Sequence, residues 1–111
     1  MKVAVPVVDG SLARHFGHCQ EFVLYEVDDD GAIAGSERLE SPPHQPGLLP
    51  RWLHENGADV IIAGGMGRRA QGLFAEAGID VVVGAQNDDP RRIVEDFLAD
   101  ALETGENLCD H

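Results

Sequence analysis

Positive charge is scarce in this chain. Eight lysines and arginines stand against twenty aspartates and glutamates, so 8 − 20 gives a formal charge of −12. Such a surface repels phosphate backbones and anionic lipid, which argues against nucleic acid and membranes as partners. Long apolar runs are missing as well: none approaches the roughly 20 residues of a membrane helix. The opening Met1 to Val8 is too short and too β-like for a secretory signal, so a cytoplasmic protein is expected. There are two cysteines, and without export a disulfide between them is not expected. Reduced thiols open to a metal fit better.

Enzyme signatures are absent too. Gly64-Gly65-Met66-Gly67 lacks the Lys-Ser/Thr ending of a phosphate-binding P-loop. No Ser-His-Asp set and no paired general acid and base stand out, so catalysis is not expected.

What is present fills one domain. With 111 residues, 43% of them apolar, the chain makes a single unit over 1–111, with 105–111 as a C-terminal tail. Residues 2–8 read as a valine-rich strand buried on both faces. Pro6 cannot donate to a ladder and is expected near the strand's end or at an unpaired position. Residues 21–27 and 32–39 form an antiparallel hairpin around Asp28-Asp29-Asp30-Gly31. Leu49, Trp52 and Leu53 mark a helix ending at Asn56-Gly57. A strand over 58–63 leads through the glycine turn to a helix carrying Ala70, Leu73, Phe74 and Ala77, stopped by Gly78. A fifth strand covers 79–84. The last helix starts at the Asp89-Pro90 cap, carries its stripe through Leu102 and stops at Thr104-Gly105. The expected fold is an α/β sandwich, order βββαβαβα, with a mixed five-stranded sheet and three helices.

The chemistry concentrates in two places. His15, His18 and Cys19 lie within one loop, and Cys109 and His111 close the chain. Imidazole and thiolate are the donors that borderline and soft metals prefer, and tetrahedral zinc wants four of them. Cys19 fits equally a small buried hydrophobe, and loop histidines often serve only as caps. His44, in a proline-rich loop, is a further candidate ligand. His54, on the first helix, is expected at the surface. Gly64, Gly65, Met66 and Gly67 precede a helix whose N-terminus would attract an anion. Arg14 and Arg68 would add positive charge beside it, with Arg69 next in line. Small residues in a tight turn explain the same glycines without any ligand.

A family resemblance runs through most of the chain. Its residues are Val3-Ala4-Val5-Pro6 with Asp9-Gly10, His15-Phe16-Gly17, Phe22, Tyr25-Glu26-Val27 and His44. Later come Gly57-Ala58-Asp59-Val60-Ile61, Gly64-Gly65-Met66-Gly67 with Ala70, and Gly78-Ile79 with Val81. The chain resembles the dinitrogenase iron–molybdenum cofactor biosynthesis family, the group of NifX and the C-terminal part of NifB. The resemblance implies a ribonuclease H-like motif and the binding and transfer of metal–sulfur clusters. His44 matches a family histidine. His18-Cys19 departs from the family, whose members often carry a small residue there, which opens copper(I), zinc or a different cluster as cargo.

The function expected is a carrier for a metal–sulfur cluster (Fe–S or Mo–Fe–S) or a soft ion such as copper or zinc. It would act in metallocluster assembly or metal trafficking, as a monomer or homodimer, between donor and acceptor proteins. The alternative is a cargo-free regulatory or interaction module, which predicts a wide apolar surface patch.

Overall fold

The computed structural model describes residues 1–16, 19–42 and 47–105. The expectations for His18, His44, Cys109 and His111 lie outside the described residues. The elements are β1 (Lys2–Val8), β2 (Ser11–Leu12), β3 (Glu21–Val27), β4 (Ile33–Glu40), α1 (Leu48–Glu55), β5 (Val60–Ile62), α2 (Arg68–Glu76), β6 (Asp80–Val82) and α3 (Pro90–Leu98). Their main sheet runs β4-β3-β1-β5-β6, with β2 paired to β1. The β4, β3 and β1 neighbours are antiparallel, whereas β1, β5 and β6 run parallel. The result is a mixed α/β sheet of six strands with three helices among the described residues.

Alternation along β1 explains the layering. Val3, Val5 and Val7 point to one face, with Tyr25, Ile62, Ile93 and Val94. Ala4 points to the other, with Phe22, Leu53, Ile61 and Phe74. Thus α3 covers one face and α1 with α2 covers the other. Val3, Ala4 and Val5 are each 0% exposed, as a strand sandwiched between helices must be.

Pro6 corrects one expectation. It lies inside β1 in register with Phe22. Its carbonyl accepts from Ala13 N–H at 2.9 Å, while that of Val7 accepts from Gln20 N–H. The missing N–H therefore faces away from β3, on the side where the β1–β5 ladder has already ended at Ala4. Proline sits there without breaking a bond. The two-residue β2 was not expected: Ser11 and Leu12 carry no alternation of their own, and only their pairing with Val8 and Val7 makes them a strand.

The three helices end by one geometry. After α1 the N–H groups of Gly57 and Ala58 donate back to His54 and Leu53; after α2 those of Gly78 and Ile79 donate to Ala75 and Phe74. These are Schellman ends with glycine in the left-handed position, at φ 87° and 81°. At α3 the N–H groups of Asp100 and Ala101 donate to Phe97 and Asp96 in the same pattern. Asp100 takes the left-handed position there, at φ 58°. The helix therefore stops at Leu98 and not near Leu102. Leu102 instead packs against the α3 face of the core, so its helical spacing from Leu98 is coincidental.

The edge strand β4 is exposed along most of its length and carries Glu37, Arg38 and Glu40. Its register shifts beside Glu26 and Val27. Charge and a bulge both discourage pairing with another chain.

Candidate functional site

The carboxyl ends of β1, β5 and β6 lie side by side, the place where ligands bind in open α/β sheets. Past β5 and β6 the chain runs into glycine, at Gly64 and Gly84. Beyond β1 and β2, Ala13 and Arg14 run against Gly64: a Cβ on Gly64 would lie 3.2 Å from the Arg14 carbonyl oxygen and 3.3 Å from that of Ala13. His15 bridges Gly65 in parallel, and Phe16 N–H donates to the Gly65 carbonyl at 2.9 Å. Gly84 N–H donates to the Gly64 carbonyl at 2.8 Å, and Gly105 N–H donates to the Gly84 carbonyl at 2.6 Å. Four segments, around residues 14, 64, 84 and 105, thus form one backbone floor.

Over that floor lies a cavity of about 390 Å³ lined by Arg14, Gly64, Gly84, Gln86, Asp88 and Gly105, among others. The Asp88 carbonyl accepts from Leu12 N–H at 2.8 Å, which ties this loop to β2. The His15 loop and the start of the tail therefore meet across one cavity. Gly84, Gln86, Asp88 and Gly105 were not expected as site residues. In the sequence Gly84 reads as the end of a strand and Gly105 as a helix stop; a close backbone approach leaves no periodic signal.

The expected donors are placed as follows. His15 is exposed beside the glycine turn. Cys19 is partly buried and packs against the α1–α2 core face. Burial pushes its thiol pKa up, and a hydrogen bond with Ser41 pulls it part of the way back. A metal takes the thiolate, so ligation by Cys19 must release a proton and strengthens as pH rises. Met66 is 1% exposed and its side chain belongs to the core. What Met66 presents to its surroundings is a carbonyl, which accepts from the Gln71 amide at 2.9 Å. Gly64 and Gly65 are buried, and Arg14 and Arg68 are exposed. His54 is exposed on α1, as expected. Among the described residues no three His, Cys, Asp or Glu side chains converge on a common point. Four of the six expected metal ligands lie outside those residues.

Several cations gather at this end. Arg14, Arg68 and Arg69 are three of the chain's eight cations, and all flank the glycine turn. α2 begins at Gly67 with no side-chain cap and no acid in its first turn. Arg68 and Arg69 stand at the positive end of the α2 dipole as Arg91 and Arg92 do at that of α3. Among the described residues the exposed large apolar side chain is Met1, at 51%, so no apolar docking patch stands out. None of the described helices is long and apolar enough to cross a membrane.

The described residues form a three-layer α/β domain with an open cavity at its parallel strand ends. Residues 1–100 match the model of the dinitrogenase iron–molybdenum cofactor family, and the chain belongs to that family. MJ0580, an uncharacterized protein of Methanocaldococcus jannaschii, is 34% identical over 86 residues, 73% of this chain and 72% of its own. The crystal structure of PH0822 shares the fold at a TM-score of 0.86 and 29% identity, over 94% of both chains. The apo form of the orange protein from Desulfovibrio gigas does so at 0.72 and 25% identity, over 96% of this chain and 93% of that one.

Proposed function

We propose that this protein carries a metal–sulfur cluster or a soft metal ion, and passes it between donor and acceptor proteins during metallocluster assembly or metal trafficking. One observation carries the reading: the His15 loop and the beginning of the tail face each other across a single cavity, with Arg14 on one wall and Gly105 on the other. Family membership supports a cargo related to the iron–molybdenum cofactor. We also read the strand order β4-β3-β1-β5-β6 as ribonuclease H-like.

In this mechanism Arg14, Arg68 and the N–H groups of Gly64 and Gly67 offset the negative charge of the cargo. His15, His18 and Cys19 supply ligands from one side and Cys109 and His111 from the other, with His44 as a further donor. The reach is sufficient. The six residues after Gly105 span at most about 20 Å when extended. Crossing from Gly105 past Gly84 and Gly64 to Arg14 takes three strand spacings, about 14 Å. The transfer runs between a donor and an acceptor protein, without nucleic acid or membrane.

The test is anaerobic purification, elemental analysis and reconstitution followed by UV–visible spectra. Cluster or metal uptake that falls in His15→Ala, Cys19→Ser, Cys109→Ala and His111→Ala supports the reading. Failure to take up any metal or cluster, or uptake indifferent to all four changes, refutes it. A partner captured equally well by a chain lacking both cysteines would favour the cargo-free interaction module.

A further inference from the structure

We propose that Asn56-Gly57 is a deamidation site held shut by the cap of α1. The dipeptide lies beside Lys2 and Asp59, at the amino ends of β1 and β5 and away from the cargo cavity. The chain has three asparagines, at 56, 87 and 107, and Asn56 is the one followed by glycine. Glycine has no Cβ to shield its nitrogen and turns freely about its backbone bonds. In the open chain the Gly57 nitrogen loses its proton and attacks Asn56 Cγ. A new C–N bond closes a succinimide ring, the Cγ–Nδ2 bond breaks, and ammonia leaves with that proton. Water then opens the ring at either carbonyl, leaving aspartate or isoaspartate at position 56.

The folded chain engages the groups that this step must free. Asn56 Nδ2, the leaving nitrogen, donates to the Trp52 carbonyl at 2.8 Å. Gly57 N–H, the nucleophile, donates to the His54 carbonyl at 3.0 Å. The Asn56 carbonyl accepts from Lys2 Nζ at 3.4 Å. Asn56 itself sits at φ −87° and ψ 4°, which turns the Gly57 nitrogen away from the Cβ side that ring closure needs. Reaction therefore waits for this end of α1 to open. It is also one-way. A carboxylate at position 56 has no proton to give to Trp52, and it sets negative charge at the carboxyl end of the α1 dipole. A chain that has opened and reacted closes less well than before. The glycine that ends α1 in the left-handed position is thus also what exposes the helix to this damage.

Peptide mapping of the full chain held in mildly alkaline buffer tests this. Unfolded in urea, the chain should gain both aspartate and isoaspartate at position 56; a product without isoaspartate overturns the ring route. Folded, it should react more slowly by about tenfold or more, because only the open fraction reacts. Equal rates overturn the proposal. Leu53 is 0% exposed, and its carbonyl accepts from Ala58 N–H at 3.0 Å. Leu53→Ala should loosen this end and speed reaction of the folded chain by about tenfold or more, with the unfolded rate unchanged. Lys2→Ala leaves the core intact and should speed it by about threefold. Faster deuterium exchange at the Gly57 amide in either variant, without faster deamidation, shows that the cap does not hold the reaction back and overturns the proposal. Asn56→Asp should speed Gly57 exchange as well; exchange unchanged from the parent chain overturns the one-way step.

Discussion

The two faces of the sheet are built from different materials. The α3 face is aliphatic at its centre: Val3, Val5, Val7, Ile62, Ile93 and Val94 fill it. The α1–α2 face is aromatic. Phe16 lies 5.3 Å from Phe74 and 6.1 Å from Phe22, and Phe22 lies 5.7 Å from Trp52, centroid to centroid. The aromatic face also holds Met66 of the glycine turn and Cys19, whereas the aliphatic face reaches the cavity only through Leu12 and Ala85. Phe16 is the link, since it comes directly after His15 and its N–H holds Gly65. One core therefore maintains the fold, and the other maintains the fold and the loop that carries His15.

The sharpest way to separate these roles is Phe16→Ala. It should cost about 3–5 kcal/mol, as large aromatic truncations do, and should also weaken metal uptake. Denaturant midpoints give the first and titration the second; a stability loss with unaltered uptake would erase the contrast. On the other face Ile93→Val should cost about 0.5–1.5 kcal/mol and leave uptake unchanged. Asp100→Gly, at the end of α3, should raise stability by about 0.5–1 kcal/mol, because glycine occupies the left-handed position without the Cβ penalty. Thermal unfolding reads it, and metal uptake should not move. The smallest effect belongs to Cys19. Its thiol pKa is raised in the folded chain, so the stabilising contribution is complete below the ordinary thiol range and is lost as pH rises through the raised value. Stability measured into alkaline pH should therefore fall, and Cys19→Ser should flatten that slope.

Much of the fold was legible where burial is continuous. The bounds of β1 and β3 follow from their apolar runs, and the cap of α3 from Asp89, whose side chain accepts from Arg91 N–H at 3.1 Å. The ends of α1 and α2 were legible because glycine marks them. The end of α3 was not, because Asp100 does the same work without the usual sign, and the next glycine, Gly105, imitates a stop. Of the site, the meeting of the His15 loop with the glycine turn could be read from its motifs. Gln86 and the Gly84–Gly105 contact could not, since backbone proximity between residues 21 apart has no local pattern.

The contact between Gly84 and Gly105 also constrains how relatives of this chain can diverge. Packed neighbours usually drift by exchanging bulk, one shrinking as the other grows. Here the two partners differ: Gly84 meets backbone and must stay glycine, whereas Gly105 meets the Gln86 side chain, so a lineage can enlarge Gly105 by shortening Gln86.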